Sequence, residues 1–227
     1  MAVWLIFVLL LTLLGIIPQQ DKMGIVERKE RQRKEVRESI LQSAWNLVNE
    51  EGWQNLSIRK IADAIEYSVP VVYDHFENKE AILSEFNHKG FKLLGDQLSE
   101  AKKSETLPSR QLEAIALAYW NFAFNNKEYY QLMYGLGMPT CESLNNVPEL
   151  NAFIQVIFST IDELIKAGNK ENDNAWLKVH SFWPMIHGLV SINLIAPPVA
   201  HMGMTVEEMN TMILRDFIKG FLKGLEA

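Results

Sequence analysis

The side chains with most capacity for chemistry in this chain are cations gathered close to its N-terminus. Residues 27–37 include six basic and three acidic side chains, although the whole chain of 227 residues carries a net charge of −6. Opposite charges four residues apart, as in Glu27–Arg31 and Glu30–Lys34, are typical of a solvated helix face. The same segment could instead act as an arm that meets DNA phosphates. The candidate phosphate-binding side chains within it are Arg28, Lys29, Arg31 and Arg33.

Other reactive residue types are sparse. His180 and His187 share one helical face, but a metal site would need a further ligand within reach, so packing or hydrogen bonding is the favoured role. Cys141 is the only cysteine, which excludes an intramolecular disulfide, and no basic neighbour activates its thiol. The sequence has no nucleophilic-serine, phosphate-loop, dinucleotide or zinc-protease motif. We therefore predict no enzyme activity, no metal site and no cofactor.

The composition is that of a globular chain, with 48% hydrophobic and 22% charged residues. It excludes a disordered or collagen-like protein. The negative net charge argues against a non-specific nucleic-acid binder, so any DNA contact must depend on a local concentration of cations.

The first residues stand apart from the rest. Residues 1–17 carry no charge, and no Lys or Arg precedes Lys22. A run of this length is at the short edge of a membrane span and lacks the basic start of a secretory signal. We favour a gene start assigned too early, with Met23 as the true beginning, over a membrane anchor or a signal peptide.

The elements that must position the cations are three helices. Apolar residues at 36, 40, 44, 47 and 48 predict a first helix that ends at Gly52. Ser57 is a good N-cap for a short helix over 58–65. Residues 66–68 form a turn, and Ser68 can cap a third helix over 69–75. Asn78 then caps a long helix. Two short helices joined by a tight turn behind a supporting helix predict a helix-turn-helix, whose second helix enters the major groove of DNA.

Specific residues at set spacings carry a resemblance to a known family. They are Ala44, Gly52, Ser57-Ile58-Arg59-Lys60-Ile61-Ala62, Ser68, Val72-Tyr73, His75-Phe76, Lys79-Glu80 and Leu83. With this pattern, residues 36–83 resemble the DNA-binding domain of TetR-family regulators. The resemblance implies that Tyr73 and Lys79 bind backbone phosphates and that Arg59 faces DNA. The remaining candidate DNA contacts are Ser57, Ser68, Val69, Pro70, Val71 and His75.

Three departures from the family pattern bear on DNA binding. Glu66 stands where the family usually has glycine, so we expect strain in the turn. Positions 69–71 are Val-Pro-Val, which favours apolar contact with thymine methyls over bidentate hydrogen bonds to bases, and Asp74 would repel phosphate. Residues 23–88 contain 9 basic and 12 acidic side chains. We therefore expect modest affinity with a steep salt dependence.

The remainder of the chain is predicted to be helical throughout. Helices are expected near 79–102, 109–125, 127–134, 149–167, 172–195 and 206–225, the last with a capping box at 205–208. Residues 126–134 and the Trp183-x-x-x-His187-Gly188 segment resemble one type of TetR-family C-terminal domain. That resemblance implies a homodimer through 172–195 and 206–225, and an effector pocket. The candidate pocket residues are Trp120, Phe124, Tyr130, Met133, Tyr134, Trp183 and His187, although aromatic residues at helical spacing are usually core.

Together these features predict an all-α protein of about nine helices. We expect a DNA-binding domain over 23–83 and an effector-binding and dimerisation domain over 84–227. The expected function is that of a cytoplasmic, ligand-responsive repressor that binds a pseudo-palindromic operator and is released by a small hydrophobic effector. The alternative is a membrane-tethered interaction protein with a degenerate helix-turn-helix, which residues 1–17 and the polar-poor recognition helix would favour.

Overall fold

A computed structural model describes residues 20–135, 148–168, 173–196 and 203–226. These residues form nine α-helices and one short 3-10 helix and no strand, which confirms the all-α prediction. The helices are α1 Gln20–Glu51, α2 Ile58–Ala64, α3 Val69–Tyr73, α4 Lys79–Lys103, α5 Pro108–Asn125, α6 Lys127–Met133, α7 Pro148–Ala167, α8 Ala175–Ile195 and α9 Val206–Glu226; the 3-10 turn is Trp53–Asn55.

The chain divides into two compact units. The first comprises the described residues of Met1–Glu51 together with Asn55–Glu77, and therefore holds α1, α2 and α3. The second comprises Gly52–Gln54 and the described residues from Asn78 onward, and holds α4 to α9.

The first helix is longer than the apolar pattern predicted. It begins at Gln20 rather than near Val36, so the basic cluster at 27–37 lies on continuous helix. Apolar periodicity did not reveal this extension because residues 24–35 are all exposed and residues 27–35 are nearly all charged. Lys34 and Glu38 pair at 3.8 Å on its surface. The inward face carries the fully buried Ile40 and Ala44. The predicted end at Gly52 is confirmed by its φ of +80°.

The helix-turn-helix forms as predicted, with two local differences. The hydroxyl of Ser57 accepts from the Lys60 amide at 3.3 Å and so caps α2. Ser68 occupies the N-cap position of α3, but its side chain makes no capping hydrogen bond. The third helix ends at Tyr73, two residues before the predicted end, because the amide of His75 bonds to the Val72 carbonyl in a tighter turn.

The second unit is a helical bundle around α4, which contacts α5, α6 and α7. Asn78 caps α4 by accepting from the Ala81 amide at 2.8 Å. The predicted capping box of α9 is also present: the Thr205 amide donates to the Glu208 carboxylate at 2.8 Å, and the Glu208 amide donates to the Thr205 hydroxyl at 3.2 Å. Helix boundaries lie within a residue of prediction, except that α8 begins at Ala175 rather than 172.

No helix in the described ranges is both long and apolar enough to cross a membrane. The apolar run at 1–17, on which the membrane alternative depends, and Cys141 lie outside the described residues.

Candidate DNA interface and effector site

The third helix presents a surface that is apolar at its start and polar at its end. Val72 is fully buried and fixes the helix against the core of the first unit. Pro70 and Ser68 are exposed, and Val69 and Val71 are half-buried. The Tyr73 side chain is 52% exposed and is therefore free to donate its hydroxyl to an external acceptor. This exposure argues against a core-packing role for Tyr73.

Two cations of α2 differ in their surroundings. Lys60 forms an ion pair with Glu51, so its charge is largely balanced within the unit. Arg59 is exposed and forms no ion pair within the described ranges. Of the two, Arg59 has the guanidinium that is available for phosphate, and Ser57 beside it is half-buried by its capping role.

The extension of α1 approaches the C-terminal end of α3, which sequence reasoning did not anticipate. Arg33 donates to the backbone carbonyl of Asp74 at 3.4 Å, and the guanidinium of Arg37 lies 4.8 Å from the ring centroid of Phe76. Both arginines lie on the helix face that continues to the buried Ile40. A cation near the last carbonyls of a helix is favoured by the helix dipole. The basic segment is thus part of the helix-turn-helix unit and not a separate arm.

A cleft of about 520 Å³ lies between these helices in the first unit. Lys29 and Arg33 line one side, and Val71 and His75 line the other. Burial lowers the pKa of His75, and the positive charge of Arg33 lowers it further. His75 is therefore neutral near pH 7 and adds no cation to the surface. Arg28 and Arg31, on a neighbouring face of α1, are exposed.

Lys79 begins α4 in the second unit. Its ammonium donates to the backbone carbonyl of Trp53 at 3.3 Å, a contact that holds the start of α4 against the 3-10 turn. Trp53 in turn packs against Phe86 at 5.5 Å between ring centroids. Two further donors of the ammonium are not used by this contact.

The interior of the second unit contains a polar cluster among aromatic rings. The Nδ1 atom of His187 lies 2.6 Å from the hydroxyl of Tyr130 and 3.2 Å from that of Tyr119, and the two hydroxyls lie 3.1 Å apart. The indole N–H of Trp183 donates to the Tyr119 hydroxyl at 3.3 Å. Burial lowers the pKa of His187 and raises those of the two tyrosines, so all three groups are uncharged near pH 7.

Tyr134 completes this cluster but differs from the other tyrosines. Its ring lies 4.7 Å from that of Tyr130 and 4.4 Å from that of His187. Its hydroxyl is buried and makes no hydrogen bond of normal geometry with any described residue. Burial raises its pKa far above the ordinary value, so the hydroxyl remains a neutral donor. A buried hydroxyl without a well-formed hydrogen bond is uncommon and marks this position for a functional explanation.

The structure brings together four of the seven candidate pocket residues and separates the others. Tyr130, Tyr134, Trp183 and His187 form the cluster. Trp120 pairs with Phe124 at 4.8 Å, and Phe124 is partly exposed. Met133 is buried, and its sulfur would lie 2.7 Å from a Cβ on Gly90, so a side chain at position 90 would have to displace Met133.

Sequence reasoning missed two members of the cluster. Tyr119 lies on the buried face of α5 with Leu112, Ile115 and Ala116, so the helical period contained the signal that it points inward. Phe153 of α7 packs at 5.6 Å from Trp183. In the sequence neither residue differs from an ordinary core residue, because the contacts that single them out join separate helices.

The two histidines of α8 have separate environments. His180 lies near the surface, where its Nδ1 is 2.7 Å from the Trp176 carbonyl, while His187 belongs to the buried cluster. In the part of the chain that the structure describes, no three His, Cys, Asp or Glu side chains come together as a metal site.

The last two helices expose an apolar surface. On α8, Met185, Ile192 and Ile195 are exposed, with Ile192 at 65%. On α9, Met212 and Ile213 are exposed. The rings of Phe217 and Phe221 pack against Phe182 of the same chain at 6.0 and 4.9 Å, so part of the apolar face of α9 is covered within the chain.

Two short helices joined by a tight turn behind a supporting helix have the arrangement of a helix-turn-helix, whose second helix enters the major groove of DNA. Comparison with known families agrees: the model for bacterial regulatory proteins of the tetR family matches residues 40–86, and the model for the tetracyclin repressor-like C-terminal domain matches residues 112–217. The chain belongs to the TetR family, whose members are DNA-binding regulators and not enzymes.

Individual relatives are distant in sequence but cover most of the chain. The uncharacterized HTH-type transcriptional regulator YobS of Bacillus subtilis strain 168 is 23% identical over 186 residues, which span 81% of this chain and 91% of YobS. A Rhodococcus sp. RHA1 protein of unknown function superposes with a TM-score of 0.67 at 24% identity, covering 81% of this chain and 94% of its own. The regulator FadR from Bacillus subtilis, in complex with stearoyl-CoA, gives a TM-score of 0.60 at 18% identity, covering 80% and 97%.

Proposed function

We propose that this regulator is a repressor that binds a pseudo-palindromic operator as a homodimer and is released by a small hydrophobic effector. The observation that carries the proposal is the buried aromatic cluster around His187, in which the Tyr134 hydroxyl makes no hydrogen bond of normal geometry with a described residue. A core that served stability alone would gain from losing this hydroxyl. A ligand acceptor placed beside Tyr134 would satisfy it.

Direct readout of the operator is assigned to the first turn of α3. Val69, Pro70 and Val71 carry no side-chain donor or acceptor, so they recognise sequence through apolar contacts with thymine methyl groups. Tyr73 and Arg59 are exposed and supply phosphate contacts. These phosphate contacts are few, which limits the affinity for DNA. The choice of operator then depends on A·T-rich positions, because the base contacts are apolar.

Further phosphate contacts are assigned to the cations that flank the recognition helix. In the first unit these are Arg28, Lys29 and Arg31 on exposed turns of α1. Arg33, also on α1, lies beside the C-terminal end of α3. Lys79 supplies a separate contact from the first turn of α4, where two donors remain available besides the bond to Trp53.

Self-association is assigned to α8 and α9. The exposed apolar residues Met185, Ile192, Met212 and Ile213 would otherwise face water. A surface of this kind on a single chain is typical of a protein interface. Gly188 on the same helix meets nothing within 4 Å, which leaves room for a partner helix to approach closely. A dimer with two-fold symmetry matches an operator with the same symmetry.

The effector is assigned to a hydrophobic molecule with few polar groups. Aromatic rings surround the cluster, and its polar atoms are neutral hydroxyl, imidazole and indole groups, so a charged head would find no counter-ion there. One structural neighbour, FadR from Bacillus subtilis, was crystallised with stearoyl-CoA, which supports an acyl chain as the first candidate, with any charged head outside the cluster. Release of DNA then reflects a coupling free energy between two sites, commonly 1–3 kcal/mol or about 5–150-fold in affinity.

The DNA-binding part is tested by selecting sites from random DNA and by mobility-shift assay on the upstream region of the chain's own gene. We expect a pseudo-palindromic, A·T-rich site. Absence of binding to both the upstream region and every selected sequence would refute the proposal.

The effector part is tested by titrating the preformed DNA complex with stearoyl-CoA and with long-chain fatty acid. We expect release by one of these probes from the wild-type protein and loss of that release in Trp183→Leu. Trp176→Leu is the matched control, because Trp176 lies two turns earlier on the same helix and is partly exposed. Equal response of the two variants would overturn the assignment of the cluster.

A further inference from the structure

A second cavity, with no aromatic residue in its lining, lies between the first turn of α5 and the C-terminal half of α9. Its volume is about 450 Å³, within the range of small-ligand sites. Four of its lining side chains are cationic: Arg110, Arg215, Lys219 and Lys223. Because the chain as a whole carries a net charge of −6, this is a local concentration of positive charge.

The positive charge of this cavity is not balanced by the protein itself. Glu113 is the one lining carboxylate, and it is shared between Arg110 at 3.4 Å and Arg215 at 4.0 Å. Lys219 and Lys223 form no ion pair in the described part of the chain. Seven other lysines do pair with carboxylates, namely Lys34, Lys60, Lys92, Lys102, Lys103, Lys166 and Lys178.

The spacing of the cations on α9 makes this imbalance costly. Arg215, Lys219 and Lys223 follow one another at intervals of four residues, so they lie on one face of the helix and repel each other. An anion held between them would remove that repulsion.

The start of α5 adds to the positive potential. This 18-residue helix begins at Pro108, and its N-cap residue, Leu107, provides no side-chain acceptor for the first amides. The uncapped amides of Ser109 and Arg110 therefore contribute the positive end of the helix dipole to the same cavity.

The floor of the cavity is aliphatic. Ile218 is buried and Leu222 is half-buried, and no aromatic ring lines the cavity to stack on a base. The surroundings therefore suit an anionic head joined to a short aliphatic group. Phosphate fits the head better than a carboxylate, because several donors converge from two helices.

We propose that this cavity binds a small organic phosphate with a short aliphatic substituent. The site is distinct from the cluster around His187, and its occupancy does not depend on whether the chain represses transcription.

The test is isothermal titration calorimetry of the full chain at low salt, with inorganic pyrophosphate and hexyl phosphate as probes and inorganic phosphate as the reference for hexyl phosphate. We expect saturable binding of both probes, and tighter binding of hexyl phosphate than of inorganic phosphate because its chain covers Ile218 and Leu222. Lys219→Gln/Lys223→Gln should weaken pyrophosphate binding by about tenfold, since two charge-assisted contacts are lost.

The matched control is Lys89→Gln/Lys92→Gln, which removes the same charge from an exposed face of α4. Retained affinity in this control, together with loss in Lys219→Gln/Lys223→Gln, supports the site. Absence of saturable binding, or equal weakening in both double variants, overturns it. Equal affinity for hexyl phosphate and inorganic phosphate overturns the aliphatic part of the assignment.

Discussion

Removing the hydroxyl of Tyr134 should stabilise this protein, against the usual direction of core substitutions. The hydroxyl is buried and makes no hydrogen bond of normal geometry with any described residue. A buried polar group left in that state costs about 1–3 kcal/mol. Tyr134→Phe keeps the ring contacts with Phe91 at 5.8 Å and with His187 at 4.4 Å. We therefore expect the free energy of unfolding to rise by about 1 kcal/mol.

Tyr130→Phe is the matched comparison within the same cluster. The hydroxyl of Tyr130 is bonded to His187 at 2.6 Å and to Tyr119 at 3.1 Å, so its loss leaves both partners short of a hydrogen bond. The free energy of unfolding should fall by about 1–2 kcal/mol. The two variants remove the same atom from neighbouring tyrosines and are expected to act with opposite signs.

The assay is urea unfolding at one fixed protein concentration, since self-association makes apparent stability depend on concentration. Thermal melting gives a second readout, in which about 1 kcal/mol corresponds to about 2–4 °C for a chain of this size. A Tyr134→Phe variant as unstable as Tyr130→Phe would refute the reasoning, because it would show that the Tyr134 hydroxyl makes a favourable interaction. In the proposed function, the stabilised variant should also respond more weakly to effector.

Four further predictions concern single sites. Burial lowers the pKa of His187 below 6.5, while the surrounding tyrosines stay neutral because burial raises their pKa values. As the pH falls below 6.5, the unfolded chain takes up a proton at this histidine before the folded chain does, so the free energy of unfolding declines. In urea midpoints measured across pH, His187→Asn should make that decline less steep. Glu66→Gly should raise the free energy of unfolding of the helix-turn-helix by about 1 kcal/mol, because Glu66 has a φ of +58°; an unchanged urea midpoint would show that the turn is unstrained. Arg59→Gln should weaken operator binding and lower the slope of log affinity against log salt by about one, and a slope equal to the wild type would remove Arg59 from the phosphate contacts. Ile192→Glu should shift the protein toward monomer in sedimentation, whereas Leu107→Glu, at a similarly exposed apolar residue that precedes α5, should leave association unchanged.

The parts of this fold that depend on residues close together in the sequence could be predicted from the sequence. Caps and turns depend on residues within one helical turn, so the sequence alone was enough to identify Ser57, Asn78 and the Thr205–Glu208 box correctly. The altered turn at Glu66 was also correctly predicted, because the family pattern has glycine there and the structure gives Glu66 a positive φ. The length of α1 was not predicted, since a solvated charged helix has no apolar period to reveal it.

Contacts between residues far apart in the sequence could not be predicted from the sequence. Sequence alone determined a helix-turn-helix regulator of the TetR family and which residues of α3 face outward, because helical periodicity and motif spacing are local properties. Only the tertiary structure brought Tyr119 to His187, 68 residues later, and Arg33 to Asp74, 41 residues later. It also distinguished Tyr134, whose hydroxyl makes no hydrogen bond of normal geometry with a described residue, from the bonded Tyr130 four residues before. The physical reason is that hydrogen bonding in a core depends on which helices pack together. The apolar periodicity of one helix shows which face is buried but does not show which other helix covers it.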